Sequence, residues 1–416
     1  MIIKIIPPKK VEGEINPPSS KSYTHRAIFA SLLSYGKSTI NNILICSDTE
    51  ATLNAFNQFG GHIQDSNVFV GIGEPRKTEK IINCNNSGTT LRLACSISSL
   101  VKGITILTGS KSLCNRPIWP LERALNDLGV ETISKNGSPP VAIKGGKIKG
   151  KEVEIIGNVS SQFVSGLLMI APKIGLKIKV KGDLVSSTYV DLTIKILEKF
   201  SIVVERKNNE FYVNKQEYKA TELSIPSDIS SASFFIAAGL LKGKVKLINT
   251  IKDPYQADSQ FIDIIKNMNG KIYEGDKYIQ AEQSNLEAID VNCKLCPDIV
   301  PILSVLAAKA KGVSRIYGIE HLRFKESDRI KSIAFNLRKM GIDVKEGKDY
   351  LQIKGKEEFQ GSKFLSFNDH RIAMAFSIAS LAAKYASEVI GIECIKDSYP
   401  SFLCDLSRIG VKYNVR

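Results

Sequence analysis

Residues Ser22–Ile43, SYTHRAIFASLLSYGKSTINNI, decide how the chain is read. The segment opens on polar side chains, runs through small and apolar residues, meets Gly36 and Lys37, and ends on an alternating stretch. A helix that is apolar nearly all round must be buried, and an alternating segment reads as a half-buried strand. Five more passages repeat this order: SGTTLRLACSISSLVKGITILTG (87–109), SSQFVSGLLMIAPKIGLKIKVKG (160–182), SSASFFIAAGLLKGKVKLIN (230–249), PDIVPILSVLAAKAKGVSRIYGI (297–319) and DHRIAMAFSIASLAAKYASEVIGI (369–392). They recur roughly every seventy residues, longer than the common solenoid periods.

A second pattern follows each one. In TEATLNAFNQFGGHI (49–63), PLERALNDLGVETI (120–133), DSQFIDIIKNMNGKI (258–272) and RIKSIAFNLRKMGIDV (329–344), apolar residues recur at helical spacing, with Gly at the C-cap and a short strand beyond. Each unit is therefore one buried helix, one amphipathic helix and strands, with helices inside the sheets. If six buried helices begin on polar groups, their N-termini can be bundled with dipoles aligned, and two groups of three would face each other across a positive cleft. Pro226, in LSIPSDISSAS, marks the crossover between the halves, and no Gly/Ser-rich linker appears.

The 416 residues allow one large or two ordinary domains, and 43% hydrophobic with 24% charged residues is ordinary globular composition. Lys and Arg outnumber Asp and Glu by 57 to 42, a formal charge of +15. The basic residues are scattered and aromatics are 7%, which favours a small anionic partner over nucleic acid. MIIKIIPPKK is too short an apolar run for a signal peptide, and no apolar run reaches a membrane span, so a cytoplasmic protein with reduced Cys is expected. Cys293 and Cys296 form a C-x-x-C, but the four His are scattered, so two small buried residues are expected there and no metal site.

The residues just before and inside the first passage, SSKSYTHR (19–26), hold four aliphatic hydroxyls, a Tyr, a Lys, a His and an Arg. The bland reading is a capped helix start. Capping needs one hydroxyl, however, and a helix N-terminus surrounded by donors and cations is also an anion site.

Seven motifs stand in order along the chain: SSKSYTHRA, NNSGTTLRL, NRPIWPL, VSSQFVSGLLMIAP, LVSSTYVDLT, FKESDRI and FNDHRIAMAF. Together they resemble those of the 5-enolpyruvylshikimate-3-phosphate synthase family of enolpyruvyltransferases. SSKSYTHRA resembles its P-G-S-K-S-x-x-x-R-A, NNSGTTLRL its N-[AS]-G-T-[AT]-x-R, and NRPIWPL its x-R-P-[IM]-x-x-L. VSSQFVSGLLMIAP resembles S-S-Q-[FY]-x-[ST]-[AG]-L-L, LVSSTYVDLT resembles S-x-x-Y-[IV]-x-[IM]-T, FKESDRI resembles K-E-[ST]-D-R-[IL], and FNDHRIAMAF resembles D-H-R-x-[AV]-M. The resemblance implies an α/β fold of two similar domains. Each is an inside-out α/β barrel of three pseudo-symmetric repeats, with buried helices and outer sheets. Residues 14–225 would form the first domain and 226–416 with strand 1–13 the second, with the active site in the cleft between them.

The implied reaction joins phosphoenolpyruvate to the 5-hydroxyl of shikimate 3-phosphate. The hydroxyl adds to the enol-ether carbon while the methylene is protonated, and phosphate then leaves. No cofactor is needed. The expected partners are these two small molecules, with no nucleic acid or membrane, and a monomer is expected. By the same resemblance Lys21, Ser22, Arg26, Ser160, Ser161, Gln162, Ser186, Tyr189, Asp298, His321 and Lys325 would bind shikimate 3-phosphate. Lys21, Gly88, Arg116, Gln162, Arg329, Arg371 and Lys396 would bind phosphoenolpyruvate, since bidentate Arg suits carboxylate and phosphate and Gly allows close backbone approach. Asp298 is the candidate general base, and its bland reading is a helix N-cap. Lys21 and Glu326 are the candidates for proton transfer at the methylene, with a lowered Lys21 pKa expected from neighbouring cations.

The chain departs from the family pattern at three places. His321 stands near a position often Asn, Leu93 follows Arg92 where many members have Pro, and KDSYPSF has Asp397 where many have Lys. An extended lead-in to Pro400 would send Lys396 and Asp397 to opposite faces. Cys114 lies two residues before Arg116 and reads as incidental. Two other functions are weighed: enolpyruvyl transfer to a different alcohol such as UDP-N-acetylglucosamine, and a non-enzymatic phosphate or nucleic-acid binder. The second leaves Asp298 and Glu326 without a purpose.

Overall fold

The computed structural model describes residues Met1–Arg416. The chain forms two compact units, Ser19–Pro226 and Met1–Pro18 with Ser227–Arg416. The boundary expected at residues 13 and 14 would cut the strand Val11–Ile15, whose Glu14 and Ile15 pair with Lys246 and Leu247. The chain therefore leaves its first sheet only after Pro18.

Helices alternate in character along each unit. Residues 19–226 hold α1 (Lys21–Leu33), α2 (Ser47–Gln58), α3 (Gly88–Ser98), α4 (Trp119–Asp127), α5 (Ser161–Ile174) and α6 (Thr188–Lys199). The other unit holds α7 (Ile229–Lys242), α8 (Gln260–Asn267), α9 (Val300–Lys309), α10 (Arg329–Lys339), α11 (His370–Ala379) and α12 (Phe402–Arg408). The odd-numbered helices are the all-apolar ones. Every residue of α7 from Ile229 to Leu241 is buried, whereas α8 buries only Phe261, Ile262, Ile264 and Ile265. None is long and apolar enough to cross a membrane.

Each unit has three sheets, and all six share one strand order: a parallel pair followed by two antiparallel neighbours. In one, Glu152–Ile156 runs parallel to Leu176–Lys181, which pairs antiparallel with Glu210–Val213, which pairs with Glu205–Lys207. The same order recurs where Val11–Ile15 supplies the parallel partner of Gly243–Ile248. It recurs again where Ile2–Ile6 is inserted antiparallel between Ser387–Ile390 and Lys412–Val415. Thus the sixfold sequence period is a sixfold structural one, completed in one unit by strands borrowed from the chain's start.

Most amphipathic helices stop on a left-handed residue, Gly60, Gly129 and Gly341 after α2, α4 and α10. After α8 that place is taken by Asn269 (φ 63°), one residue before the expected Gly270; Asn tolerates this region better than other side chains. Cys293 and Cys296 pack into the apolar core of their unit.

Candidate active site

In the unit 19–226, polar side chains gather where α1, α2, α3 and α5 begin. The Ser20 side chain makes no capping bond to α1, so the hydroxyl-rich start is not explained by capping. Lys21 Nζ lies 2.9 Å from Asp48 Oδ2 at the start of α2. The expected all-cationic setting of Lys21 is thus corrected: a carboxylate holds it. Arg26, one turn into α1, is 2% exposed. Its guanidinium donates to Thr193 Oγ1 (2.8 Å), the Ser22 carbonyl (2.9 Å), the Tyr189 carbonyl (3.2 Å) and Ser165 Oγ (3.4 Å), and lies 5.9 Å from the Tyr189 ring centroid. Burial pushes its pKa down to about 10.

The second anion feature of this unit is the turn into α3. A β-carbon on Gly88 would sit 2.4 Å from Arg92 Nη1, 3.2 Å from Arg116 Nη1 and 3.4 Å from Gln162 Oε1. Three donor-bearing side chains therefore converge where Gly88 leaves space. Arg116 Nη2 donates to Asn86 Oδ1 at 3.1 Å, and Gln162 Nε2 donates to Thr89 Oγ1 at 3.0 Å, joining the starts of α3 and α5. Ser160 caps α5 by accepting from Gln162 N at 3.3 Å, and Ser161 is buried behind it. Ser186 holds a left-handed backbone (φ 54°) just before α6, which carries Tyr189.

The unit that contains residues 227–416 gathers carboxylates instead. Arg329, the first residue of α10 and 1% exposed, donates to Asp298 (2.7 Å), Glu326 (2.7 Å) and Asp369 (2.8 Å). Arg371 Nη2 reaches Asp298 Oδ2 at 3.1 Å, so one carboxylate bridges two guanidiniums at the starts of α10 and α11. Asp369 also caps α11 by accepting from Arg371 N at 3.0 Å. Burial works to raise the Asp298 pKa, but Arg371, Lys325 and Arg329 together hold it well below the usual carboxylate range. Arg329 is correspondingly pushed well above its ordinary value: burial opposes its charge, and Asp369, Glu326 and Asp298 outweigh it. Burial lowers the Lys325 pKa, destabilising its charge. Burial and the Lys325 charge drive His321 down to about 3, so its ring is neutral. Burial and the nearby Asp298 push the Asp258 carboxyl up to about 7.

Asp298, His321, Lys325, Glu326, Arg329 and Arg371 thus fall into one linked cluster. Lys396 stands apart from it. Residues Ile392–Asp397 form a 3-10 helix, not the expected extended lead-in. In such a helix consecutive side chains turn by a third of a circle, which leaves Lys396 exposed and Asp397 6% exposed. The Glu393 carboxyl, three residues back, is lowered against burial by backbone bonding and by the Met1 amino group 3.0 Å away, with Lys396 contributing least.

The sequence reading missed Asp48, Asp258 and Asp369 as partners of the site. Asp369 had a signal, since an Asp just before Arg371 at a helix start is a cap. Asp48 had a weaker one, an acid at the N-terminus of an amphipathic helix.

Comparison with known proteins fits this arrangement. The family model of EPSP synthase (3-phosphoshikimate 1-carboxyvinyltransferase) matches residues 5–406. A 3-phosphoshikimate 1-carboxyvinyltransferase of Thermococcus kodakarensis is 41% identical over 409 residues, covering 98% of this chain and 100% of the relative. That of Methanocaldococcus jannaschii is 38% identical over 420 residues, covering 98% of each. The EPSP synthase of Acinetobacter baumannii superposes with a TM-score of 0.84 at 28% identity, over 100% of both chains. An enolpyruvyl transferase of Streptomyces tendae shares the fold, with a TM-score of 0.81 at 16% identity over 99% and 98% of the two chains. The chain belongs to the EPSP synthase family.

Proposed function

We propose that the protein transfers the enolpyruvyl group of phosphoenolpyruvate to the 5-hydroxyl of shikimate 3-phosphate and releases phosphate. Besides family membership, the observation that carries this reading is Asp298 bridging Arg329 and Arg371 beside Lys325. Such a carboxylate is ionised but a weak base while both guanidiniums hold it. An anionic substrate that takes over Arg371 and Arg329 weakens that hold, and the Asp298 pKa rises toward the range a general base needs. Substrate binding thereby switches on the base that deprotonates the 5-hydroxyl.

The two residue sets serve one reaction in this proposal. Lys21, Ser22, Arg26, Ser160, Ser161, Gln162, Ser186 and Tyr189 bind shikimate 3-phosphate from residues 19–226, with Asp298, His321 and Lys325 acting on its ring. Lys21, Gly88, Arg116, Gln162, Arg329 and Arg371 bind phosphoenolpyruvate. Lys396 keeps its proposed place there only if its exposed side chain turns inward. Lys21 and Glu326 are the groups proposed for the methylene; solvent deuterium uptake at that carbon, abolished in Lys21→Met or in Glu326→Gln, identifies the donor. Addition and elimination move protons and phosphate with no net oxidation or reduction, so no cofactor is invoked. Each unit is proposed to close its three repeats as an inside-out α/β barrel, and the protein to work as a cytoplasmic monomer on these small molecules alone, without nucleic acid or membrane.

The deciding experiment is phosphate release with phosphoenolpyruvate and either shikimate 3-phosphate or UDP-N-acetylglucosamine. Turnover with shikimate 3-phosphate alone is expected. Turnover only with the nucleotide sugar would reassign the acceptor, and none with either would overturn the proposal.

A further inference from the structure

Between α1 and α2 lies a two-rung ladder. Lys21 bonds Asp48 on the outer rung, and one turn deeper His25 Nδ1 lies 2.7 Å from Thr52 Oγ1. The inner rung continues. Thr52 Oγ1 lies 2.6 Å from Thr90 Oγ1 on α3, and Thr90 Oγ1 lies 2.7 Å from Ser87 Oγ, the cap next to Gly88. Ser87 Oγ also accepts from Thr90 N at 3.1 Å. All four side chains are at most 1% exposed. Four buried polar groups in contact are far more than the packing of α1, α2 and α3 against one another requires. The chain ends at the turn where Arg92, Arg116 and Gln162 converge.

The direction of the chain follows from proton counting. Burial, with Lys21 and Arg26 nearby, holds the His25 pKa well below its ordinary value, so the ring is neutral and carries one N–H. Its Nε2 is buried without a hydrogen-bond partner. An orphaned buried N–H is rarer than an orphaned acceptor, so the proton belongs on Nδ1. Thr52 then accepts from His25 and has its single proton for Thr90. Thr90 gives its own to Ser87 at 2.7 Å in preference to the Asp48 carbonyl at 3.3 Å.

We propose that His25 is a positioning residue of the phosphoenolpyruvate pocket: its Nδ1–H starts a one-way hydrogen-bond chain through Thr52 and Thr90 to Ser87, which fixes the Gly88 turn against α1. This rests on the assignment of Gly88 to that pocket. His25 touches no reacting atom; it sets where α3 begins relative to Lys21. An apolar residue at 25 removes the donor, Thr52 and Thr90 lose their fixed orientation, and Ser87 loses its second donor. The pocket at Gly88 should loosen while the Arg26 set, held by Thr193 and backbone carbonyls, stays in place.

Two readouts test this. In the ¹⁵N spectrum of the imidazoles, the signal lost in His25→Asn should report a protonated Nδ1; a protonated Nε2 would overturn the chain. In kinetics, His25→Leu should raise KM for phosphoenolpyruvate about tenfold, the loss of roughly one buried hydrogen bond, and change the shikimate 3-phosphate Kd by less than about twofold. His25→Asn, whose amide N–H can occupy the Nδ1 position, should recover most of the loss. Thr52→Val should weaken phosphoenolpyruvate like His25→Leu, and the double variant should be little worse than either. Equal loss of both substrates, no rescue by Asn, or additive effects would overturn the proposal. If His25→Leu fails to fold, Thr52→Val and the spectrum decide. Failure of the wild-type protein to bind phosphoenolpyruvate would sink the Gly88 assignment instead, and the tautomer would still be readable.

Discussion

Arg26 and Arg329 are both buried guanidiniums near a helix start, at 2% and 1% exposure, yet they are held in opposite ways. Arg26 is surrounded by hydroxyls, carbonyls and an aromatic ring, so its positive charge is solvated but not cancelled. Arg329 is cancelled more than once over by Asp298, Glu326 and Asp369. A buried cation with neutral partners retains the full attraction for an anionic ligand. A buried cation among carboxylates instead fixes their positions and protonation. The first arrangement suits holding a phosphate, and the second suits moving protons. Residues of one type therefore do different work because of their neighbours, and each variant below tests one side of that contrast.

The largest effect should come from Arg329→Met. It leaves three carboxylates facing one another, with Asp369 fully buried, and removing one partner of a buried ion pair costs about 3–5 kcal/mol. The pH dependence should also change. In the wild type the depressed Asp298 pKa contributes stability that is present above the ordinary carboxylate pKa and lost only as pH falls from there through the depressed one, so Asp298 adds no change between pH 7 and pH 5. Without Arg329 the crowded carboxyls are raised, so the variant should gain more stability than the wild type on going from pH 7 to pH 5. Urea midpoints at the two pH values check this, and an equal change in both proteins would show that Arg329 is not the counter-charge.

Asp298→Asn should leave both substrates able to bind and lower turnover by about 10²–10⁴, the usual cost of losing a general base. Near-normal phosphate release from the folded variant would remove Asp298 from that role. Arg26→Met comes next and is the reverse of Arg329→Met. No charge is orphaned, so unfolding free energy should move by only about 1 kcal/mol, whereas affinity for shikimate 3-phosphate should drop about tenfold or more. A stability loss as large as that of Arg329→Met would erase the distinction between the two sites. The smallest effect is expected at Lys396→Ala. An exposed Lys outside the linked cluster is worth little, and KM for phosphoenolpyruvate should change by less than about twofold. A severe rise would mean that Lys396 turns inward when substrate binds.

The repeat was legible because all-apolar and amphipathic helices have different residue patterns, and that difference also says which is buried. The arginines and Asp298 were legible as motif residues at helix starts. Their partners were not. Nothing local to Lys21 announces Asp48, because the pair forms only when α1 packs on α2. The same holds for Arg26 with Thr193 and for Asp258 near Asp298. The density of donors in SSKSYTHR was visible, but not that His25 faces inward to Thr52 while Ser22 stays half-buried at the rim. The segment before Pro400 misled because the Pro constrains only its immediate predecessor; the residues upstream were free to coil into a 3-10 helix.

The borrowed strands impose an order on synthesis. Residues 19–226 are contiguous and have every strand of their three sheets in hand once Pro226 has been made. The strand Val11–Ile15 must wait for Gly243–Ile248, and Ile2–Ile6 must wait for Ser387–Ile390 and then for Lys412–Val415. At about 5–20 residues per second, the wait between the completed first unit and the partners of Ile2–Ile6 is on the order of 10–30 s. Throughout it the apolar strand IIKII has both edges unpaired, a template for the wrong neighbour. Damage to Ile3 or Ile5 therefore falls on the unit finished last, and should appear as slow or aggregating assembly of residues 227–416 while residues 19–226 fold on schedule.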